Sequence, residues 1–483
     1  MQTLTSCNTA PLTTFVPDTT TPWDTKRVRH ALRRLGYGRT QGLEAAALAQ
    51  MPDVFIDQLI TTAAGYTVTP APSWSNWSRS DYTDYNQERI LQIREWIRQV
   101  YNDTLNMNLR ARMTLFWHNH FVTRVEDYSA PSWMYQYYNL LQTHALGNFK
   151  TLVKEMGKNE SMLVYLNGVL NNKFSPNENY ARELFELFTL GENNNYTQND
   201  IVEASRALTG YNQWTELGAP INFQTSTWDN NPKTIFGITA NYDHDTLIDH
   251  LFAVRPMEIS THIVKKIYRA FVSPELPSSV IIDQLAATFR NANWEIAPVL
   301  RQLFKSQHFF DEAALSTIIK DPIDCFAIFI KEANFSLTDD ELQTLAYIAG
   351  ILGQDYFNPI DVAGWQGDRD WINSNTITGR WQGLEYIMWV SWNQDQELFR
   401  NIALDSSSST NDPAVIAKDI VDRFAPQELF TAADYNLATT VFKGDVPQNY
   451  YDNNLWDLYW QSVPYQVVLL LQHIFRMPEF QLK

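Results

Sequence analysis

Apolar and polar residues follow one another along most of this chain with the 3.6-residue period of α-helices. In DTKRVRHALRRLGYG, Asp24 is a good helix N-cap, Leu32 and Leu35 are three positions apart, and Gly36 ends the helix. The tail, YQVVLLLQHIFRMPEF, is apolar nearly all round and is expected to be buried. Further helices are predicted over 42–49, 54–62, 86–122 with a break near 102–106, 131–157, 175–191, 197–210 and 245–350.

Three segments depart from the helical pattern. INFQTSTW alternates apolar and polar residues, DNNP is a turn signal, and KTIFGIT follows, which predicts a β-hairpin around 221–238. Residues 66–86 and 354–381 are rich in Trp, Asn, Pro or Gly and are predicted to be loops. The expected fold is therefore mainly α, a multi-helix globular bundle with a small β-hairpin insert.

The chain shows no internal repeat and no low-complexity linker. Residues 1–24 are rich in Thr and Pro and are predicted to be extended. Residues 25–483 are expected to form a single large helical domain, which could divide into lobes at 25–310 and 311–483. The serine-rich stretch 405–412 is predicted to be a mobile loop.

Composition narrows the functional classes. The 483 residues carry a formal charge of −17, so nucleic acid is not an expected partner. No run approaches 18 apolar residues, so no transmembrane segment is expected. Cys7 and Cys325 give no disulfide framework. The N-terminus lacks the basic start and apolar core of a secretory signal, but a mature chain whose leader was removed would look the same, so the compartment stays open.

The segment MTLFWHNHF, residues 113–121, carries the first candidate chemistry. Its apolar residues spread around the whole helix, which carries His118 and His120 into the interior. Either histidine could be a metal ligand or a general base. Because positions two apart lie on nearly opposite faces, both can reach one metal only if the helix ends or distorts there. The alternative is that both are core histidines bonded to backbone or carboxylate groups.

The second group of candidate catalytic residues lies in the segment SPNENYARELFELFTLG, residues 175–191. Ser175 is a good N-cap and Gly191 a natural residue to follow the helix end. Glu178 and Arg182 share one helix face, with Glu183 beside them. This face could be solvated and held by ion pairs four residues apart. It could instead turn inward toward a histidine and form a metal site or an acid–base pair.

The next helix, TQNDIVEASRALTG, places a third group of charges nearby. Thr197 and Asp200 form a capping box, and Glu203 and Arg206 share a side. The short connection between the two helices makes them antiparallel neighbours, so Glu203 and Arg206 could join the same polar cluster or form one more surface pair. No Ser-His-Asp order, P-loop, GxGxxG or CxxC pair supports serine chemistry or nucleotide binding.

These segments together resemble the uncharacterised bacterial family called domain of unknown function 1800. RHALRRLGYG, LFWHNHF, PNENYARELFELFTLG, ALTGY, KTIFG, KKIYRAFVSPE, VAGWQGDRDWINSNT and MPEF match its motifs in order. The resemblance implies a mainly helical fold, a bacterial source and a periplasmic or extracellular location, but no mechanism. The chain departs from it at Trp228-Asp229, where relatives commonly have His-Asp, which puts a metal ligand there in doubt.

Three functions follow from these observations. The first is an enzyme with a buried polar or divalent-metal site. His118, His120, Glu178, Arg182, Glu183, Glu203 and Arg206 are its candidate catalytic residues, and His118, His120 and Glu183 are its candidate metal ligands. The second is a non-catalytic envelope protein that binds a glycan or a partner protein through the Trp-rich loops 73–83 and 354–381. The third is a closed His/Glu/Arg network that only fixes helix packing.

Overall fold

The computed structural model describes residues 8–365 and 367–483, so Cys7 lies outside the described residues. Residues 8–24 contain no helix and follow the surface of the helical body. The Phe15 amide donates to the Lys305 carbonyl at 2.8 Å, and the Phe15 ring is buried. This backbone contact, together with the bridge between Thr14 and Ser306, holds the predicted extended segment in place.

The described residues form 24 α-helices, in agreement with the mainly α prediction. The first half of the chain contains α1 (Thr25–Leu35), α2 (Gln41–Leu48), α3 (Pro52–Gly65), α4 (Tyr85–Asn106), α5 (Leu109–His120), α6 (Val125–Tyr128), α7 (Pro131–Thr143), α8 (Phe149–Met156), α9 (Glu160–Tyr165), α10 (Asn179–Glu183), α11 (Gln198–Ala207) and α12 (His244–Val254). The second half contains α13 (Pro256–Phe271), α14 (Ser279–Asn291), α15 (Ile296–Phe304), α16 (Gln307–Phe310), α17 (Pro322–Ala333), α18 (Asp339–Ile351), α19 (Ser374–Gln394), α20 (Glu397–Ser406), α21 (Pro413–Phe424), α22 (Ala432–Lys443), α23 (Gln448–Asp452) and α24 (Val463–Arg476).

The β-structure consists of two small antiparallel sheets. Strand β1 (Tyr211–Gln213) pairs with β2 (Asn222–Phe223), and β3 (Lys233–Ile235) pairs with β4 (Ile238–Ala240). A small β-hairpin is therefore present in the predicted insert, formed by β3 and β4, but INFQTSTW and KTIFGIT do not pair with each other. Each half finds its partner next to it, because a tight turn at Phe236 and Gly237, both with positive φ, closes the β3–β4 hairpin locally.

The buried apolar side chains form one connected cluster that extends from Phe15 to Phe480. Helix α17 lies inside this cluster, and almost all of its residues are buried, including Cys325. Helix α24 also buries most of its apolar residues, as the tail pattern predicts. No helix in the described ranges combines the length and apolar character needed to cross a membrane.

The basic helix α1 is buried rather than exposed. Arg33 donates to both carboxylate oxygens of Glu332 on α17, each at 2.7 Å, and both side chains are 1% exposed. Arg34 donates to backbone carbonyls, among them that of Ala314 at 3.0 Å. Buried guanidinium groups need such acceptors because an unpaired buried charge is very costly. The helix thereby ties the N-terminal part of the chain to α17.

The tryptophans of the two predicted loops point into the protein. Trp74, Trp365 and Trp371 are buried, and Trp77 and Trp381 are half-buried. The predicted loop 354–381 ends earlier than expected, because α19 begins at Ser374. Because three of these five rings are buried, the two loops lack the fully exposed set of tryptophans on which the glycan-binding hypothesis depends.

Candidate functional site

His118 and His120 leave α5 in different directions, as their spacing predicts. His118 is 1% exposed. Its Nδ1 lies 2.8 Å from the Tyr137 hydroxyl, and its Nε2 accepts the Phe357 amide at 3.0 Å. Burial lowers the pKa of His118 to about 3, so the ring is neutral. Both ring nitrogens are engaged by the protein, and His118 fixes the loop that carries Phe357.

His120 faces the opposite way, toward the end of the 179–189 helix. Its Nε2 lies 3.1 Å from the Phe188 carbonyl oxygen, to which it can only donate. Its Nδ1 therefore carries the lone pair and accepts from Lys266 Nζ at 3.0 Å. Burial, and after it the nearby Lys266 and His262 side chains, hold the pKa of His120 well below its usual value. His120 is thus a neutral acceptor for a lysine.

The helix that His120 contacts is irregular. It begins at Asn179 rather than at the predicted Ser175, because Ser175 belongs to a turn closed by Asn172. After Glu183 it continues as a π-helical segment, Leu184–Thr189, and Gly191 follows with a φ of +94°. The last carbonyls of a helix have no amide partner within it. π-Helical turns are rare and frequent at functional sites.

Side chains from α5 and α13 supply donors to these free carbonyls. The Leu187 oxygen accepts from Lys266 Nζ at 3.2 Å and from His262 Nε2 at 3.0 Å. Burial lowers the pKa of Lys266 to about 8. Burial, followed by the charge of Lys266, lowers the pKa of His262 to about 4. His120, His262 and Lys266 together are called the Lys266 cluster below.

The Lys266 cluster borders a surface cleft. The cleft has a volume of about 500 Å³ and lies between the end of the π-helical segment and α13. Its lining is mostly polar and consists of Glu186, Leu187, Leu190, Gly191, Glu192, Asn193, Asn194, Thr261, His262, Lys265 and Lys266. A lysine amine and an imidazole therefore meet at a place that a ligand can reach, which is the usual setting of an active site.

The predicted charges of the 175–191 segment are on its outer face. Arg182 pairs with Glu178 at 3.0 Å and with Glu186 at 3.3 Å, and the side chains of Arg182 and Glu178 are 36% and 38% exposed. These are the solvated ion pairs four residues apart that the sequence analysis gave as one of two alternatives for this helix face. Glu183 is half-buried, and burial, with the charge of Glu186 after it, raises its pKa.

Glu203 and Arg206 form a different group on α11. Arg206 pairs with Glu203 at 2.8 Å and with Asp229 at 2.7 Å. Glu203 also accepts the Thr234 amide at 3.0 Å. Its partners are therefore the β3–β4 hairpin and the turn before it, and no bond joins this group to His118 or His120 within the described residues. Asp229 is likewise engaged by Arg206.

The structure does not assemble the predicted metal ligands. Residues 8–365 and 367–483 contain no group of three or more His, Cys, Asp or Glu side chains placed to share an ion. His118, His120 and Glu183 have separate surroundings: the Phe357 loop, the Lys266 cluster and the outer helix face. Of the predicted site residues, His120 alone joins the cleft-bordering cluster.

Sequence reasoning missed His262 and Lys266. Both lie in THIVKKIYRAF, at positions i and i+4 of an amphipathic helix, which places them on one face. A histidine and a lysine on the same face beside apolar residues were a usable signal. Their meeting with His120, however, joins residues 146 positions apart and could not be read from spacing.

Comparison with known proteins identifies the family of this chain. The model of the family described as "Protein of unknown function (DUF1800)" matches residues 30–482. No curated protein sequence and no solved structure matches the chain. The family match spans α5, the π-helical segment and α13, so every residue of the Lys266 cluster lies inside it. The chain therefore belongs to the DUF1800 family.

Proposed function

We propose that the protein is an enzyme in which Lys266 transfers protons to and from a substrate bound in the cleft. The observation that carries the proposal is the position of Lys266, which lines the cleft while its Nζ donates to His120 Nδ1 and to the Leu187 oxygen. No ion pair joins Lys266 to a carboxylate within the described residues. A lysine without a counter-ion at a cleft is available for chemistry.

The two inward hydrogen bonds suit a neutral amine. A neutral amine has two N–H groups and one lone pair, and the two acceptors take both N–H groups. The lone pair is then directed away from His120 and Leu187, toward the remaining open side of Nζ. Burial makes this form accessible, because an amine with a pKa of about 8 is neutral in roughly one molecule in ten at pH 7. For an ordinary lysine the fraction is about one in 2,500.

The neighbouring groups set the geometry of this base. His120 cannot take the proton readily, because burial and the Lys266 charge hold its pKa well down, so it stays an acceptor. The π-helical turn leaves the Leu187 carbonyl free to orient both Lys266 and His262. General bases work best with a pKa near the working pH, which Lys266 satisfies and the two histidines do not.

Competitive labelling tests the proposal. Trace acetic anhydride is applied to the intact protein from pH 6 to 11, and the acetylated fraction of each lysine peptide is measured by mass spectrometry. We expect Lys266 to titrate about two pH units below the usual lysine value near 10.4. Lys265, the adjacent residue on α13, gives an internal reference within every digest.

A variant of His120 tests how this residue affects the titration of Lys266. His120→Leu keeps the site buried but removes the Nδ1 acceptor, so the titration of Lys266 should change while Lys265 serves as the unchanged reference. Far-UV circular dichroism confirms that this variant is folded. Titration of Lys266 in the wild-type protein at the ordinary lysine value would refute the proposal, whatever the variant does.

A further inference from the structure

The open side of Lys266 and the imidazole next to it suggest a specific chemistry. His262 donates through Nε2 to the same Leu187 oxygen that Lys266 contacts, at 3.0 Å, which leaves its Nδ1 as an acceptor. A Cβ at Gly191 would lie only 2.9 Å from this Nδ1, so the main chain passes close beside it. The shared Leu187 oxygen thus fixes the lysine amine and the neutral His262 imidazole relative to each other along one side of the cleft.

We infer that Lys266 is a nucleophile that forms an imine with a small polar aldehyde or ketone in the cleft, an inference that rests on the proposed function. The Nζ lone pair attacks the carbonyl carbon and forms a C–N bond, while the carbonyl oxygen takes up a proton. Solvent water supplies that proton and takes one from Nζ, which gives a neutral carbinolamine. A second proton from solvent lets the hydroxyl leave as water, and Nζ releases its remaining proton to solvent as the C=N bond forms. The net change is amine plus carbonyl to imine plus water, with no change in oxidation state.

The surroundings favour this step in two ways. Lysines that form imines are commonly desolvated, and the half-buried Lys266 side chain is desolvated by the protein around it. The cleft wall also offers the side chains of Thr261, Asn193 and Asn194, which can hydrogen-bond to hydroxyl or carboxylate groups of the carbonyl compound. A volume of about 500 Å³ is large enough for a small molecule.

Reductive trapping tests the inference. The full-length protein is incubated at pH 7.5 with glyoxylate, pyruvate or glyceraldehyde, reduced with cyanoborohydride, digested and mapped by mass spectrometry. The reductant converts an imine to a stable secondary amine on the lysine that formed it. We expect Lys266 to be modified at least about 10-fold more than Lys265 with at least one probe, in line with the lowered pKa of Lys266.

One variant sharpens the result. Lys266→Arg should abolish the adduct at this position and leave labelling of surface lysines unchanged. Circular dichroism and urea midpoints identify a variant that fails to fold, and the wild-type ratio of Lys266 to Lys265 needs no variant.

The outcomes separate this inference from the proposed function. If no probe gives an adduct at Lys266, or if all lysines react alike, imine formation is refuted. If acetic anhydride labelling still finds the low titration point of Lys266, the proton-transfer proposal stands without it. If Lys266 instead titrates like an ordinary lysine, both fail together.

Discussion

Replacing Glu332 by glutamine should be among the most damaging single changes that preserve side-chain shape. Glu332 receives two charge-assisted hydrogen bonds from Arg33, each 2.7 Å long, and both side chains are 1% exposed. In Glu332→Gln the amide oxygen can accept one of these bonds, while the amide nitrogen faces a second donor. The Arg33 guanidinium then stays buried without a counter-ion.

The expected loss follows from the cost of an unpaired buried charge. Removing one partner of a buried ion pair typically costs about 3–5 kcal/mol. Burial by itself would raise the pKa of Glu332, but the charge and hydrogen bonds of Arg33 outweigh it and lower the pKa overall. The stabilisation is therefore fully present above the unfolded pKa, near 4.3, and is lost as the pH falls through the lower folded value.

Urea titrations monitored by tryptophan fluorescence measure this loss. Glu332→Gln at pH 7 should lower the unfolding midpoint by the equivalent of about 3–5 kcal/mol. Glu178→Gln is the matched control, because it also faces an arginine, at 3.0 Å, but on the surface, and should cost less than about 1 kcal/mol. The double variant Arg33→Met/Glu332→Met should be more stable than Glu332→Gln.

Two results would contradict this reasoning. A loss below about 1 kcal/mol in Glu332→Gln would mean that Arg33 finds other acceptors or water. A double variant no more stable than the single one would mean that the damage comes from repacking rather than from the unpaired charge. A difference between wild type and Glu332→Gln that does not shrink as the pH falls below about 4 would remove the electrostatic explanation.

Two further changes probe the packing around His118 and around Gly157. His118→Ala should cost about 2–4 kcal/mol in urea titrations and speed hydrogen exchange of the Phe357 amide, which loses its 3.0 Å acceptor; unchanged exchange would show that the loop is held otherwise. Gly157→Ala should cost about 1–3 kcal/mol, because its methyl group would lie 2.3 Å from the Tyr180 hydroxyl and 2.4 Å from His244 Nε2. Gly147→Ala is the control, since its nearest atom is 3.7 Å away, and equal losses for both would refute the steric argument.

Much of the helical framework could be predicted because its signals are local. Asp24 caps α1 by accepting the Arg27 amide, and Thr197 and Asp200 form the predicted capping box. Gly191 has the positive φ expected after a helix end. Each of these features depends on residues a few positions apart, so the sequence contains the information needed to predict it.

Other predictions were wrong because a competing local contact prevailed over the predicted one. The start of the 175–191 helix moved to Asn179 because Ser175 was taken by a turn with Asn172. The two halves of the predicted hairpin found different strand partners, since very short strands have little pairing energy to fix a longer register. Local propensity was present in each case, and a competing local contact decided the outcome.

The sequence by itself determined the helical class, most helix positions, and the burial of the segment that carries His118 and His120. Tertiary structure alone decided that Arg33 lies buried against Glu332, and that His120 meets Lys266 rather than the carboxylates of the 175–191 segment. A buried charge or imidazole is tolerated only where a partner removes its desolvation cost. Those partners come from distant parts of the chain, and only packing brings them together.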